Sequence, residues 1–516
     1  MLPSTDTTND WKILAAAKKA SVDATIPGEW RLPAEVIAEY NDETKHQSVM
    51  DVATKFLSEQ ELEITSYDHS YQLLEKIHLG EYSALSVFKA FAHRSAIAGQ
   101  LTNCCTEYMF KLGERIANDL DAYFMEHGKP KGPLHGLPIS LKETFNVDGY
   151  DSCVGLVVNI GNKDKLVQSA TVDMLLEQGV LFYVKTNHPM TMMSADSENN
   201  IYGRTLNPLN TAWSAGGSSG GEGSLVAQHG SMIGVGTDIG GSVRFPAHHQ
   251  NLYGFKPSAD RVPYKNKMAS GEPNFLGFKP AVGPITRCVE DLDVFMRAIL
   301  EHKPWTFDSG VYPMGYQPVE LPQKLKVGVI LAEAGGEDVE VDKDVQDMVL
   351  SAATKLKEAG HDVVFCENYP SFQESWDVSV GIFNIKVKGL VSAIDKANQA
   401  GEPVIKSVTN SKFLYNWGYT TTEKAVELRA GLAKKFSEWE DYFQANNLDV
   451  LLLPLAKQKK YEHDTFGTSP YSTTWNLIDF PAAVIPHQDG CVQIVGPKLM
   501  DEKLLAVLKV ADKAIN

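Results

Sequence analysis

The chain has 516 residues and a net charge of −17, with 43% hydrophobic and 22% charged residues. That balance belongs to a folded globular protein with a sizeable core, and the acidic excess disfavours nucleic acid or an anionic membrane as the general partner. No run of about 18 apolar residues occurs, and no basic segment leads into an apolar one near the start, so neither a membrane span nor a secretory leader is expected.

Residues 1 to about 75 read as short helices and loops, a helical arm wrapping the core, with I-P-G-E-W-R-L-P from Ile26 to Pro33 as an extended turn. Order is expected beyond the first few residues. No Pro/Ser-rich or charge-rich linker divides the remainder, so 76–516 reads as one domain. Helical periodicity runs from about Tyr71 to Met125, with apolar faces such as Leu73, Leu74 and Ile77, then Leu112, Ile116 and Leu120. Ala170 to Gln178 reads as a helix stopped by Gly179, and Val180 to Val184 as the strand after it. A βαβ unit follows: strand Lys326 to Leu331, a helix with Val345, Met348, Val349, Ala352, Ala353 and Leu356 on one face, Gly360 as terminator, and strand Val363 to Phe365. Val450 to Leu453 is another buried strand. Such alternation implies a mostly parallel or mixed sheet covered by helices on both faces, an α/β fold. Six scattered cysteines in a long chain point to reduced thiols and a cytoplasmic protein.

The chemistry lies in two glycine-flanked serine clusters, S-A-G-G-S-S-G-G from Ser214 to Gly221 and T-D-I-G-G-S-V-R from Thr237 to Arg244. Glycine beside a serine lets backbone amides approach a bound group closely and adopt positive φ at little steric cost, which suits a nucleophile and an oxyanion hole. Ser218 and Ser242 are the candidates. Upstream, in G-P-L-H-G-L-P-I-S-L-K-E-T-F, Lys142 closes a run, Leu137 to Leu141, that is apolar except for Ser140. Burial there disfavours the ammonium form, so the amine can be neutral near the operating pH and take a proton from a hydroxyl.

Ordinary readings compete. A G-G-S-S-G-G hexamer alone suits a flexible loop. Residues 216–220 satisfy G-x-S-x-G, yet the nucleophile elbow needs a strand before it, and N-P-L-N-T-A-W-S reads as loop. Gly234, Gly236 and Gly240 are spaced one residue too long for a dinucleotide fingerprint. His248 and His249 are adjacent and lack any H-E-x-x-H context, so no metal is expected, and His135 reads as a hydrogen-bonded loop histidine. Cys153 lacks the glycine-built hole that Ser242 has.

Lys142, Gly216 to Gly221 and Gly236 to Ala247, together with their spacing, resemble the amidase signature family of serine hydrolases. The resemblance implies an amidase signature fold with a central mixed β-sheet, and a Ser-Ser-Lys triad in the region 132–258. Ser242 matches the acyl-accepting nucleophile, Ser218 the bridging serine held on a cis peptide, and Lys142 the base. It further implies an oxyanion hole from the N–H groups of Ile239, Gly240, Gly241 and Ser242, and substrate contacts from Gly217 and Ser218. Met192 matches the acyl-pocket position, with core filling as the alternative. Ser219, Asp238 and Arg244 would support the loop, and neither cofactor nor metal is implied.

R-S-A-I-A-G-Q-L-T-N-C-C, I-Y-G-R-T-L-N-P and N-L-Y-G-F-K-P-S resemble the fungal acetamidase and urethanase-like branch. That implies hydrolysis of small neutral amides, or carbamates such as ethyl carbamate, by a metal-independent enzyme without nucleic acid or a transmembrane anchor; a homodimer is a family-level expectation. Glu143 stands where many members carry Asp, and Ala456 to Gly496 looks shortened. A fatty-acid amide hydrolase-like activity, an amidotransferase subunit and a catalytically silent homologue remain alternatives.

Overall fold

The structure is a computed structural model that describes residues 10–269, 276–388, 391–410, 419–465 and 469–516. The opening residues 1–9, which include the first few for which the sequence gives no expectation of order, lie outside the described residues. In chain order the strands are β1 (Cys105–Tyr108), β2 (Pro138–Lys142), β3 (Leu181–Thr186), β4 (Glu198–Asn199), β5 (Gly203–Arg204), β6 (Ile233–Asp238) and β7 (Tyr253–Lys256). They continue with β8 (Ala281–Thr286), β9 (Lys326–Val329), β10 (Asp362–Phe365), β11 (Val450–Leu453), β12 (Ala482–His487) and β13 (Gly490–Val495). β4 and β5 pair only with each other. The other eleven form one sheet in the order β1-β3-β2-β6-β8-β7-β12-β13-β11-β9-β10.

The sheet is mixed. β2 runs parallel to both β3 and β6, and β9 parallel to both β10 and β11, while the strands between these two blocks pair antiparallel. Parallel neighbours need crossover connections, and helices supply them: Ala170–Glu177 reaches β3, and Lys343–Glu358 joins β9 to β10. Two groups of mutually packed helices flank the sheet. One contains Ala84–Thr102, Gly220–Ala227 and Arg244–His249, the other Val289–Glu301, Lys343–Glu358 and Asp501–Ile515. With both faces covered, β2, β3, β6 and β11 are buried along their whole length, which is why V-L-L-L and P-I-S-L show no polar alternation.

The span from Tyr71 to Met125 is not continuously helical. It divides into Ser70–His78, Ala84–Thr102 and Phe110–His127, with β1 inserted before the last. Asn103 adopts a left-handed conformation (φ 52°) that ends the second helix, and C-T-E-Y then pairs with β3 at the sheet edge. The strand after Ala170–Glu177 begins one residue later and extends two residues further than its apolar run suggests, to Thr186, because Lys185 is buried with its amine bonded to the Asp151 carbonyl (2.6 Å) and Ser152 Oγ (2.8 Å).

The N-terminal helix Asp10–Asp23 is fastened to this edge by Lys18, whose amine meets the carboxylates of Glu107 on β1 and Asp151 (2.9 Å), with all three side chains about 10% exposed or less. The two carboxylates hold the ammonium above its usual range against the burial that opposes it. Removing the cation leaves two buried carboxylates uncompensated, which in comparable pairs costs about 3–5 kcal/mol. Lys18→Met is therefore expected to lower the denaturation midpoint clearly and to speed proteolysis between residues 10 and 33 under native conditions; an unchanged midpoint would show that the arm is held by apolar packing alone.

Candidate active site

Lys142 ends β2, in the middle of a buried parallel block, and its side chain is 0% exposed. Its Nζ lies 2.7 Å from Ser218 Oγ and 3.1 Å from Thr237 Oγ1 on the neighbouring β6. The loop that brings Ser218 there has a cis Gly217–Ser218 peptide and runs directly into the helix Gly220–Ala227, every residue of which is buried. Only glycine fits at 217, since a Cβ there would sit 2.6 Å from the Ser194 carbonyl oxygen. No strand precedes the loop, so G-x-S-x-G is not a nucleophile elbow here.

Desolvation pushes the Lys142 amine well below its usual value, and Lys267 pushes in the same direction. Two carboxylates oppose the shift, and neither is free to do so strongly. Glu222, on the helix after Ser218, accepts hydrogen bonds from Ser140 Oγ and Thr186 Oγ1 (2.7 Å), but burial raises its own pKa to about 8. Asp238 is held far below the usual carboxylate range chiefly by Arg244, despite its burial, and so remains an anion already paired. Thus the lysine sits beside one near-neutral acid and one neutralised acid, which favours its uncharged form. Half-buried Lys267 donates to Thr144 Oγ1 at 3.0 Å, and burial brings its amine to about 7.

Ser242 follows β6 on the loop Ile239–Val243 and is half-buried. Its carbonyl accepts the Ser219 N–H at 3.1 Å, joining the two serine loops through backbone, while Ser219 Oγ and Thr237 exchange longer contacts of 3.4 Å. Gly241 has φ +121°, and a Cβ on it would come within 2.4 Å of the Phe245 ring, so the sequence has no freedom there. The Gly241 N–H donates to Asp238 Oδ1 at 2.8 Å. The expected set of four converging amides is thereby reduced: Ile239, Gly240 and Ser242 keep theirs without a partner among the described residues, whereas Gly241's is spent on holding the loop.

Asp238 and Arg244 form the clamp of this loop. The guanidinium reaches Asp238 at 3.0 Å through both Nε and Nη2, and also the Ser472 carbonyl (3.0 Å), Gln493 Oε1 (2.7 Å) and Asn476 Oδ1 (2.6 Å). Asn476 Nδ2 returns to Asp238 Oδ1 at 2.9 Å, and Ser472 Oγ donates to the Gly240 carbonyl at 2.7 Å. Ser472, Asn476 and Gln493 carry no catalytic motif and lie more than 220 residues downstream, so sequence reasoning did not find them. They come from the very C-terminal segment that looked shortened.

Met192 lines a slot with Met193, Ser194, Ala195, Gly217, Ile239, Gly240, Ser242, Phe245 and Phe383. Thr191 (φ 67°) and Met192 (φ 60°) both adopt left-handed backbone, a costly conformation for non-glycine residues that tends to occur where a site fixes it. Phe383, at the end of the helix Phe372–Phe383, was not anticipated from sequence. His248 and His249 do not converge on one point: His248 accepts from Cys491 N–H (3.1 Å) and bonds to the Gln458 carbonyl (3.2 Å), while His249 bonds to the Ser214 carbonyl (3.0 Å). His135 accepts from Lys131 N–H at 3.0 Å, away from the serines, and Cys153 is fully buried with its thiol pushed up by burial. Among the described residues one trio, His69, Cys288 and Glu290, is close enough together to hold an ion, on elements that carry none of Lys142, Ser218 and Ser242.

A buried lysine against a serine, next to a glycine-built loop that presents amides and a second serine, defines a hydrolase of the serine type. Comparison with known proteins places it further. The family described as Amidase matches residues 86–504. The chain is 36% identical to an acetamidase of Emericella nidulans over 92% of this chain and 86% of that one, and 32% identical to an amidase of Gibberella moniliformis over 97% and 98%. Among solved structures, a fatty acid amide hydrolase superposes with a TM-score of 0.89 at 29% identity, covering 99% of this chain and 96% of the other. A bacterial aryl acylamidase of the amidase signature family shares the fold, with a TM-score of 0.73 at 22% identity over 86% and 96%. The chain belongs to the amidase signature family. It is an amidase, a hydrolase of amide C–N bonds.

Replacing Lys142 by Met keeps the volume and removes the amine. Burial disfavours the ammonium form of Lys142 in the folded chain, whereas the unfolded chain protonates it up to about pH 10.4, so below that pH the unfolded state binds more protons and stability rises with pH. Relative to wild type, Lys142→Met is expected to be more favoured at neutral pH than near pH 10, where that advantage is lost, roughly at the unfolded-state pKa. Denaturant midpoints at the two pH values check this, and a difference independent of pH would mean that Lys142 is charged in the fold.

Proposed function

We propose that Ser242 is the acyl-accepting nucleophile, Ser218 the proton bridge and Lys142 the base of this amidase. The observation that carries the reading is the 2.7 Å contact of Lys142 Nζ with Ser218 Oγ inside a buried, nearly uncharged enclosure. A neutral amine has one lone pair. Donation of one N–H to Thr237 Oγ1 leaves the lone pair able to face Ser218, so that Lys142 can accept the Ser218 proton while Ser218 accepts that of Ser242. Attack of Ser242 Oγ on the amide carbon forms a tetrahedral oxyanion, which the N–H groups of Ile239, Gly240 and Ser242 stabilise; in comparable sites losing one such donor costs about 3–4 kcal/mol. The relay then reverses, handing the proton to the departing amine, and a water uses the same relay to release the acid.

Substrates are read as small neutral amides, with carbamates of similar size within the same chemistry. What supports this is the likeness to fungal acetamidases over most of the chain and the apolar lining that Met192, Phe245 and Phe383 give to the slot beside Ser242. Residues 76–516 are read as one catalytic domain, with 1–75 as its arm, in a cytoplasmic protein for which a homodimer is the family-level expectation. All six cysteines are free, which suits a reducing compartment, and among the described residues no helix is long and apolar enough to cross a membrane.

Ammonia release from acetamide, hexanamide, benzamide, ethyl carbamate and a long fatty amide tests the reading. Wild type is expected to favour the small acyl groups, and Ser242→Ala, Ser218→Ala and Lys142→Ala to lose about 10⁴–10⁶-fold in kcat, as loss of a nucleophile or base does in other serine hydrolases. The acid limb of kcat/KM is expected below the usual lysine range, with activity rising as the pH rises through it, since the base acts when deprotonated. Retained turnover in Ser242→Ala would overturn the assignment, and preference for the fatty amide would move the substrate to the other branch.

A further inference from the structure

Away from the serines, Cys104 and Cys105 bring their Sγ atoms to 3.7 Å of one another. Successive residues within a strand point to opposite faces. Here the left-handed Asn103 turns the chain just before β1, so Cys104 lies outside the strand and its thiol folds toward that of Cys105. No other pair among the six cysteines, all of which lie in the described residues, makes such a contact.

One member of the pair borders a cavity. Cys105 is 8% exposed and opens onto a cavity of about 370 Å³ between the N-terminal arm and the core, with Ile26, Leu32 and Ile37 on one side and Tyr108 and Tyr202 on the other. Cys104 sits behind it, fully buried.

We infer that Cys104 and Cys105 form a chelating dithiol site for soft trivalent metalloids, arsenic(III) first among them. A thiophilic centre with bonds to sulfur of about 2.3 Å, as for zinc, holds two sulfurs roughly 3.5–3.8 Å apart over the pyramidal to tetrahedral angles such centres adopt, and the spacing present is 3.7 Å. A disulfide, by contrast, needs the sulfurs at about 2.05 Å, within a ring closed across adjacent residues. Burial keeps the Cys105 thiol protonated and a poor nucleophile toward peroxides, so direct oxidation is disfavoured. Capture needs no lasting thiolate. An arylarsine oxide, Ar–As=O, loses its oxygen as water with the two thiol protons and gains two As–S bonds, arsenic staying trivalent and sulfur unoxidised. The product is neutral, as a buried site requires.

The test uses the full chain and equimolar phenylarsine oxide. Intact mass is expected to show one phenylarsenic group per chain, with two of the six thiols lost to titration after unfolding. Digestion with trypsin puts both cysteines, and no others, on the peptide 95–111, and the adduct is expected there. Excess 2,3-dimercaptopropanol should remove it, whereas a monothiol at the same concentration should not, and Cys105→Ser should not form it. Absence of an adduct, its location on Cys153, Cys288, Cys366 or Cys491, or its survival in Cys105→Ser would overturn the site. Mapping of the wild-type adduct decides this independently of the variant.

Discussion

A lysine whose ammonium form is disfavoured by a dry interior is the constraint on which the rest of this molecule turns. A lysine exposed to water is charged at neutral pH and cannot accept a proton from a serine. Here the amine is carried on the third strand from one edge of an eleven-stranded sheet, where both flanking strands are parallel and buried. Such burial would normally be answered by a counter-ion. Instead Arg244 takes up the charge of Asp238, while Glu222 is itself driven toward neutrality among hydroxyls. What remains in contact with Lys142 is Ser218 and Thr237, two groups that can exchange or orient a proton without bringing charge.

The cost of that arrangement is distributed over the fold. The first glycine-rich loop can approach the segment after Ser242 only because Gly216 has no side chain, since a Cβ there would sit 2.8 Å from Pro246 Cα, and glycine is conformationally loose. Rigidity comes from outside the loops. Asp238 satisfies the Gly241 and Val243 amides, Arg244 binds Asp238 and reaches three residues of the C-terminal segment, and Ser472 holds the Gly240 carbonyl. A buried ion pair is poor evidence of net stability, because desolvation offsets its attraction. Its role here is geometric: a fully hydrogen-bonded guanidinium fixes the turn on which Ser242 and the free amides are carried.

A second buried network runs along the other side of β2. Glu143, next to Lys142, accepts N–H groups of Cys153 and Val154 and faces His188 Nε2 at 3.0 Å. It lies in the same charged cluster as Lys185, which draws its pKa down together with His188, and Asp151 carries the chain of contacts on to Lys18 in the N-terminal arm. The longer side chain of glutamate, where aspartate is the commoner residue of the resemblance, is thus fully engaged in structure. The arm is tied to the residues beside the lysine as well as to the sheet edge.

Much of this was legible in the chain. The strand ending in Lys142, the two glycine-flanked serine clusters, the βαβ unit around Lys343–Glu358 and the mixed α/β class all follow from local signals: apolar runs too continuous for an exposed strand, helical spacing, and glycines where side chains would collide. Where local signals were ambiguous the sequence misled slightly. C-T-E-Y was absorbed into helical periodicity, although pairing with β3 decides it, because a four-residue strand has too few residues to show a period. The sequence by itself determined which residues could do the chemistry, since motif spacing and backbone freedom are properties of neighbouring residues. Only the tertiary structure decided which amides stay free, that Gly241's is not among them, that Thr237 and Glu222 surround the lysine, and that Ser472, Asn476 and Gln493 hold the loop. Those facts depend on charge and hydrogen-bond partners brought together from distant parts of the chain, and nothing in the order of residues records such distances.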